Sequence, residues 1–200
     1  LPVSFERSSI QKVSATLGEN TVNIGLNAGL VGIAIVLIYI LLYYRLLGLI
    51  TILGLGSFGF AFYSILSLLS KYQGFTLTLA GIAGIIVSIG LAADSYIVTY
   101  EKFKDELKVG RSYSYAVEKS TKEAWRTILV ADFVSLSAAT LLFVLAVGPI
   151  KGFAISLGIA TLIDLLYTRF YTRHALNLAV LITNNSRLFF PIKTKDLENV

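Results

Sequence analysis

"LTLAGIAGIIVSIGLAADSYIVTYEKFKDEL", residues 77–107, carries one charged side chain, Asp94, between Leu77 and Tyr100, and then turns abruptly charged. A run of ~20 apolar residues is long enough to cross a bilayer as a helix. An ionised carboxylate inside such a run costs several kcal/mol, roughly 2.5–3.5 at a helix centre on insertion scales. The stretch therefore predicts a membrane-spanning helix and an acid within it that needs a reason to be there.

Four further apolar segments flank it, at about 24–44, 46–70, 125–147 and 152–172, and an apolar stretch at 175–182 trails the last. Short connections join neighbours: "YYRLLG" (43–48), "KYQGFT" (71–76) and "GPIK" (148–151). Only helices and closed barrels satisfy the backbone in lipid, and runs this long favour helices. The expected fold is an all-α polytopic transmembrane bundle of five spans over residues 21–182. Its connector, residues 101–124, is cytoplasmic, amphipathic and helical in character, with an interruption at Gly110. Composition agrees, with 56% hydrophobic and 14% charged residues against ~25% charged in soluble domains, and a mean hydropathy of +0.76.

The opening "LPVSFERSSIQKVSATLGEN" is polar and lacks a basic region followed by an apolar one, so it is not a signal peptide. Residues 1–20 read as the end of an outer domain belonging to a longer chain, and 183–200 as a cytoplasmic tail. Without cysteine, disulfides, thiolate metal sites and a cysteine nucleophile are excluded. One histidine, His174, cannot form a multi-histidine metal centre. No G-x-S-x-G occurs. The chain is expected to be no enzyme, with neither cofactor nor metal.

Thirteen of the seventeen Lys and Arg fall on one side when alternate loops are grouped. They are Arg45, seven between Lys102 and Arg126, and five from Arg169 to Lys195; Arg7, Lys12, Lys71 and Lys151 lie opposite. Short basic loops stay cytoplasmic, which puts the connector and C-terminus inside and residues 1–20 outside. The basic residues follow this topology rule rather than a nucleic-acid module. The connector's lysines and aromatics suit the headgroup layer, so membrane lipids are an expected partner and nucleic acid is not.

Two more acids interrupt apolar spans: Asp132 in "TILVADFVSLSAATLLF" and Asp164 in "GIATLIDLLYTRF". Asp94 lies seven residues before Glu101, Asp132 six after Arg126, and Asp164 five before Arg169. At 1.5 Å per residue all three sit roughly 8–10 Å inside the cytoplasmic helix ends, as one polar layer requires. Intramembrane acids are candidates for function by default, and a carboxyl that can be neutral or ionised is what a proton relay needs. Asp94, Asp132 and Asp164 are the expected relay residues, with Asp94, deepest in its uncharged run, the principal one. Asp164 has an alternative as a structural group bonded to Thr161, Tyr167 or Thr168 or paired with Arg169, and Asp132 as a packing polar group. A metal site built from the three is excluded, since oxygen-only sites add carbonyls or waters in hydrophilic loops.

Small residues mark two stripes on the third span. Ala83, Val87 and Gly90 share the side of Asp94, while Ala80, Gly84, Ser88 and Ala92 recur every four positions. Both suit close helix packing. The glycines of "GLGSFGF" (54–60) and "GIAGIIVSIG" (81–90) are packing residues too, because a phosphate cradle needs a preceding strand and an aqueous helix end.

"TLTLAGIAGIIVSIGLAADSYIVTYEKFKDELKVGRS", "RTILVADFVSLSAATLLFVLAVGPIKGFAISLGI" and "LLYYRLLGL" resemble the C-terminal membrane region of the SecD family, in the resistance-nodulation-division superfamily. The resemblance covers nearly the whole chain and implies six helices in a whole subunit, of which this chain supplies the last five. It also implies a place in the bacterial inner membrane, with SecF, the SecYEG channel, YajC and exported polypeptides as partners. The implied activity is proton-driven help in the late stages of protein export, with the residue matching Asp94 involved in proton passage. Glu101 and Lys102 match the family's F-E-R and, with Arg126, are expected to anchor helix ends. The family's D-A-N-V becomes Asp94-Ser95-Tyr96-Ile97, and its T-I-L-D-A-N becomes T-I-L-V-A-D, which moves an acid from the Val130 position to Asp132. Two residues turn a helix by about 200°, so that acid should face elsewhere. The competing readings are a proton-coupled lipid or drug exporter of the same superfamily, and a structural membrane subunit without proton traffic.

Overall fold

The computed structural model describes residues 15–73, 78–148 and 150–182. Helix follows helix: α1 (Ala15–Tyr44), α2 (Leu46–Gln73), α3 (Leu79–Lys108), α4 (Tyr113–Leu145) and α5 (Ile150–Leu166). The last passes through a π-helical segment (Tyr167–Thr172) into α6 (Arg173–Ile182). No strand occurs among the described residues. Five helical rods are long and apolar enough to cross a membrane: Val22–Tyr44, Leu46–Tyr72, Leu79–Lys108, Tyr113–Leu145 and Ile150–Ile182. The protein is a multi-pass membrane helix bundle, as expected. The expected tail 183–200, most of 1–20 and the start of the third span at Leu77 lie outside the described residues.

The connector is amphipathic and helical on both sides of Gly110, as expected. Residues 101–124 are mostly helix: α3 runs on to Lys108, α4 begins at Tyr113, and only a short turn separates them. Amphipathic spacing explains it, because Phe103, Leu107, Ala116 and Val117 are buried while Asp105, Arg111, Glu118 and Lys122 are exposed. Gly110 takes the turn with φ +80°, a backbone region open to glycine. Ser112 caps α4, its Oγ accepting from Tyr115 N at 3.4 Å, and Lys119 Nζ bridges to Glu106 Oε1 at 2.8 Å. The two arms form a hairpin.

At the first junction α1 and α2 are separated by Arg45 alone, with φ +52°. A left-handed non-glycine residue costs roughly 1–2 kcal/mol, and the close approach it permits is visible at Gly48. A Cβ there would lie 2.6 Å from Leu41 Cα and 2.9 Å from the Ile40 carbonyl oxygen.

The tightest packing joins α3, α4 and α5. Along α3 the seam of Gly84, Ser88 and Ala92 is buried, and a Cβ at Gly84 would come 3.0 Å from the Phe153 carbonyl oxygen and 3.1 Å from Ser156 Cβ. Small residues thus let two backbones approach, the usual way helices associate where lipid removes a hydrophobic drive between them. On the other side an aromatic column runs from Tyr43 and Tyr44 through Tyr100 and Tyr96 to Tyr171 and Tyr167, with neighbouring centroids 4.7–6.2 Å apart. Leu30, Ile35, Leu42, Phe60, Phe133 and Val144 are exposed on the outer surfaces, as apolar groups facing acyl chains would be.

Candidate functional site

Each helix of the central triad contributes one acid. Asp132 of α4 is 6% exposed and Asp164 of α5 is 4% exposed. Ser95 of α3, itself buried, donates its Oγ–H to Asp164 Oδ2 at 2.6 Å. Asp164 lies within electrostatic reach of both Asp132 and Asp94. The structure therefore links the three predicted residues through Asp164, and the hydrogen bond joins α3 to α5.

Asp94 departs from expectation. Its side chain is exposed on this chain, together with Ala83, Val87, Gly90 and Leu91. Of the two small-residue stripes on α3, α5 occupies the one at Gly84, Ser88 and Ala92, which turns the other outward. A Cβ at Gly90 would meet nothing within 4 Å. The two-residue shift on α4 has the complementary effect. Val130 is 64% exposed, whereas Asp132 is buried, so moving the acid from the Val130 position carries it from the outer face into the bundle.

The expected partners of Asp164 are replaced. Thr161 Oγ1 donates to its own helix at Leu157 O, 2.8 Å away, and Arg169 stacks over the Trp125 ring at 5.8 Å. Ser95, not singled out from the sequence, is the bonded group. A signal was available: residues 84, 88, 92 and 95 continue one helical stripe at spacings of four, four and three, so Ser95 extends the buried seam.

Three buried polar atoms have no hydrogen-bond partner among the described residues: Asp132 Oδ2, Tyr96 OH and Ser156 Oγ. Leaving such an atom unpaired costs roughly 1–3 kcal/mol, and native proteins keep few of them. Tyr96 stands where the family pattern has asparagine, yet its phenol bonds to neither acid; it lies over Gly54, where an added Cβ would collide with it. Carboxyl, hydroxyl and phenol groups can each accept or pass a proton, and here they are grouped within one bundle.

At the charged end of α3, Glu101 is tied to neighbouring side chains. Glu101 Oε1 accepts from Tyr44 OH at 2.7 Å and from Lys104 Nζ at 2.9 Å. Lys104 also lies 4.9 Å from the Tyr43 ring centroid. One turn of helix puts residues three apart on the same side, so Lys104 meets Glu101 and Lys102 points away. Arg126 is exposed beside Trp125 well inside α4, which begins at Tyr113, so it does not stand at the helix end expected of it.

Comparisons with known proteins agree with the geometry. The family model described as protein export membrane protein SecD/SecF, C-terminal, matches residues 2–183. The chain is 48% identical to the protein translocase subunit SecD of Mycobacterium tuberculosis over 165 residues, covering 82% of this chain and 29% of that protein. With SecD of Streptomyces coelicolor identity is 43%, over 89% of this chain and 31% of the relative. The crystal structure of SecDF from Thermus thermophilus, titled a translocon-associated membrane protein, superposes with a TM-score of 0.77 at 32% identity, over 85% of this chain and 23% of that one. The chain spans less than a third of the length of these relatives.

Proposed function

Since the chain belongs to the SecD/SecF family of protein export membrane proteins, we propose that it is the membrane part of a subunit that uses the proton gradient to promote export. It works without catalysing a chemical reaction, in the bacterial inner membrane, with the α3–α4 hairpin inside. SecF, the SecYEG channel and YajC are its partners, and exported polypeptides its substrates. The outward stripe of Ala83, Val87, Gly90 and Asp94 is the face that meets the partner membrane subunit.

The observation that carries this reading is the burial of Asp132 and Asp164 on adjacent helices, with Asp94 within electrostatic reach of Asp164. Two carboxylates this close in hydrocarbon are costly when both are ionised, so the loss or gain of one proton changes how α3, α4 and α5 pack. A proton passes between Asp94 on the partner-facing side and Asp164 inside, and Ser95 links the two helices. Each charge crossing the membrane gains about 2.3 kcal/mol per 100 mV, enough for a few protons to drive a two-state repacking. No observation favours lipid or drug export, and the relatives are named as translocase subunits.

The test is export measured with and without an imposed proton gradient, in the full-length subunit carrying Asp94→Asn or Asp164→Asn. Both variants should lose the gradient-dependent fraction while keeping expression and assembly. An Asp94→Asn protein that responds to the gradient like the wild type would leave only a scaffold role.

A further inference from the structure

Away from the buried acids, a second polar feature lies between the N-terminal half of α4, from Glu118 to Arg126, and the π-helical segment. A cavity of about 350 Å³ opens there, within the size range of small-molecule sites. Lys122 and Arg126 line it from α4, and Arg169 and Arg173 from the opposite wall. Residues four apart share a helix face, so each wall presents two cations to the same space. Glu118 is the one acid on the lining, and no carboxylate among the described residues forms an ion pair with any of the four cations. Arg169 lies over the Trp125 ring, which fixes its guanidinium at the cavity wall, and the Thr168 hydroxyl adds a polar group there.

Four cations facing one cavity, none of them in an ion pair among the described residues, repel each other unless an anion joins them, and a phosphodiester is the acceptor that arginine forks fit best. The location selects its source. Trp125 and Arg126 stand where the apolar run of α4 begins; tryptophan marks the membrane–water interface, so the cavity is at headgroup depth. Basic pockets between membrane helices on the Lys/Arg-rich side attract anionic headgroups. We propose that this cavity binds the phosphodiester headgroup of an anionic phospholipid of the adjacent leaflet, with Arg169 and Arg173 holding the phosphate from one side and Lys122 and Arg126 from the other. The assignment is independent of the proton reading and needs only the membrane placement.

The experiment uses the full-length protein in detergent, with Trp125 kept as its only tryptophan, titrated with dihexanoyl phosphatidylglycerol, dihexanoyl phosphatidylcholine or inorganic phosphate. Phosphatidylglycerol should produce a saturable change in Trp125 emission that phosphatidylcholine does not, and Arg169→Gln/Arg173→Gln should weaken it at least ten-fold. Arg173→Gln alone keeps Arg169 on the indole and should weaken it about three-fold; it decides the matter if the double variant fails to fold. Lys102→Gln/Lys108→Gln makes the same charge change elsewhere and should leave binding intact. Equal responses to both lipids, unchanged binding in Arg173→Gln, or saturation by inorganic phosphate at the same concentration as phosphatidylglycerol would each overturn the assignment.

Discussion

Ser95 Oγ and Asp164 Oδ2 lie 2.6 Å apart across sixty-nine residues of sequence. This is a direct side-chain bond between the two helices that carry the outer and the inner acid. A hydroxyl bonded to a carboxylate is worth about 1.5–3 kcal/mol when the acid is ionised and about 1 when it is neutral. Ser95→Ala should therefore lower thermal stability in detergent by about 1–3 kcal/mol, and Asp164→Leu, which removes the acceptor, should abolish most of that difference in a double-mutant cycle. A Ser95→Ala protein as stable as wild type would show that the bond contributes nothing.

Asp132 is buried with one oxygen unbonded and Asp164 in electrostatic reach. Asparagine has nearly the same shape, cannot be ionised and removes the like-charge cost. Asp132→Asn should raise stability, on the order of 1 kcal/mol, while diminishing gradient-dependent export, the opposition expected where a site holds strain for function. Lower stability in calorimetry would mean that the carboxylate makes a favourable contact in the whole protein.

The two stripes of α3 predict opposite outcomes for similar changes. Gly84→Ala forces a methyl against the Phe153 backbone and should destabilise the isolated protein by about 1–3 kcal/mol, as overpacking does. Gly90→Leu projects into open space and should leave the unfolding midpoint unchanged. Co-purification with the partner membrane subunit should nevertheless fall several-fold. Stability and association measured on both variants separate the inner seam from the outer face.

Glu101→Gln deprives the nearly buried Lys104 ammonium of its carboxylate and should cost about 1–3 kcal/mol, the range for a polar partner left unpaired. Lys102→Gln, with no ion pair at that end, should stay within about 0.5 kcal/mol. Denaturant unfolding that ranked Lys102 above Glu101 would show that the Glu101–Lys104 pair does not hold this end.

The spans were legible because each is a long uncharged run with charge at its ends, and the acids stood out because their environment makes them costly. Residues 101–124 read as a connector since charge dominates them, although Phe103, Leu107, Ala116 and Val117 supply the helical stripe that packs. Both stripes of α3 carry small residues, and a sequence does not say which one its own chain will fill; that choice decided the exposure of Asp94. The bonds of Ser95 and Tyr44 join residues far apart in sequence, which no local pattern reveals. The π-helical segment has no pattern in "YTRFYT" that separates it from an ordinary turn.

That segment has a mechanical consequence. A π turn holds more residues than an α turn and marks an insertion into the rod. Closing it into regular α geometry by one residue would swivel everything beyond it by about 100°. Arg173 would leave its wall of the basic cavity while Asp164, on the near side, kept its bearing. The rod thus carries a one-residue insertion at Tyr167–Thr172 that sets the bearing of Arg173 apart from that of Asp164.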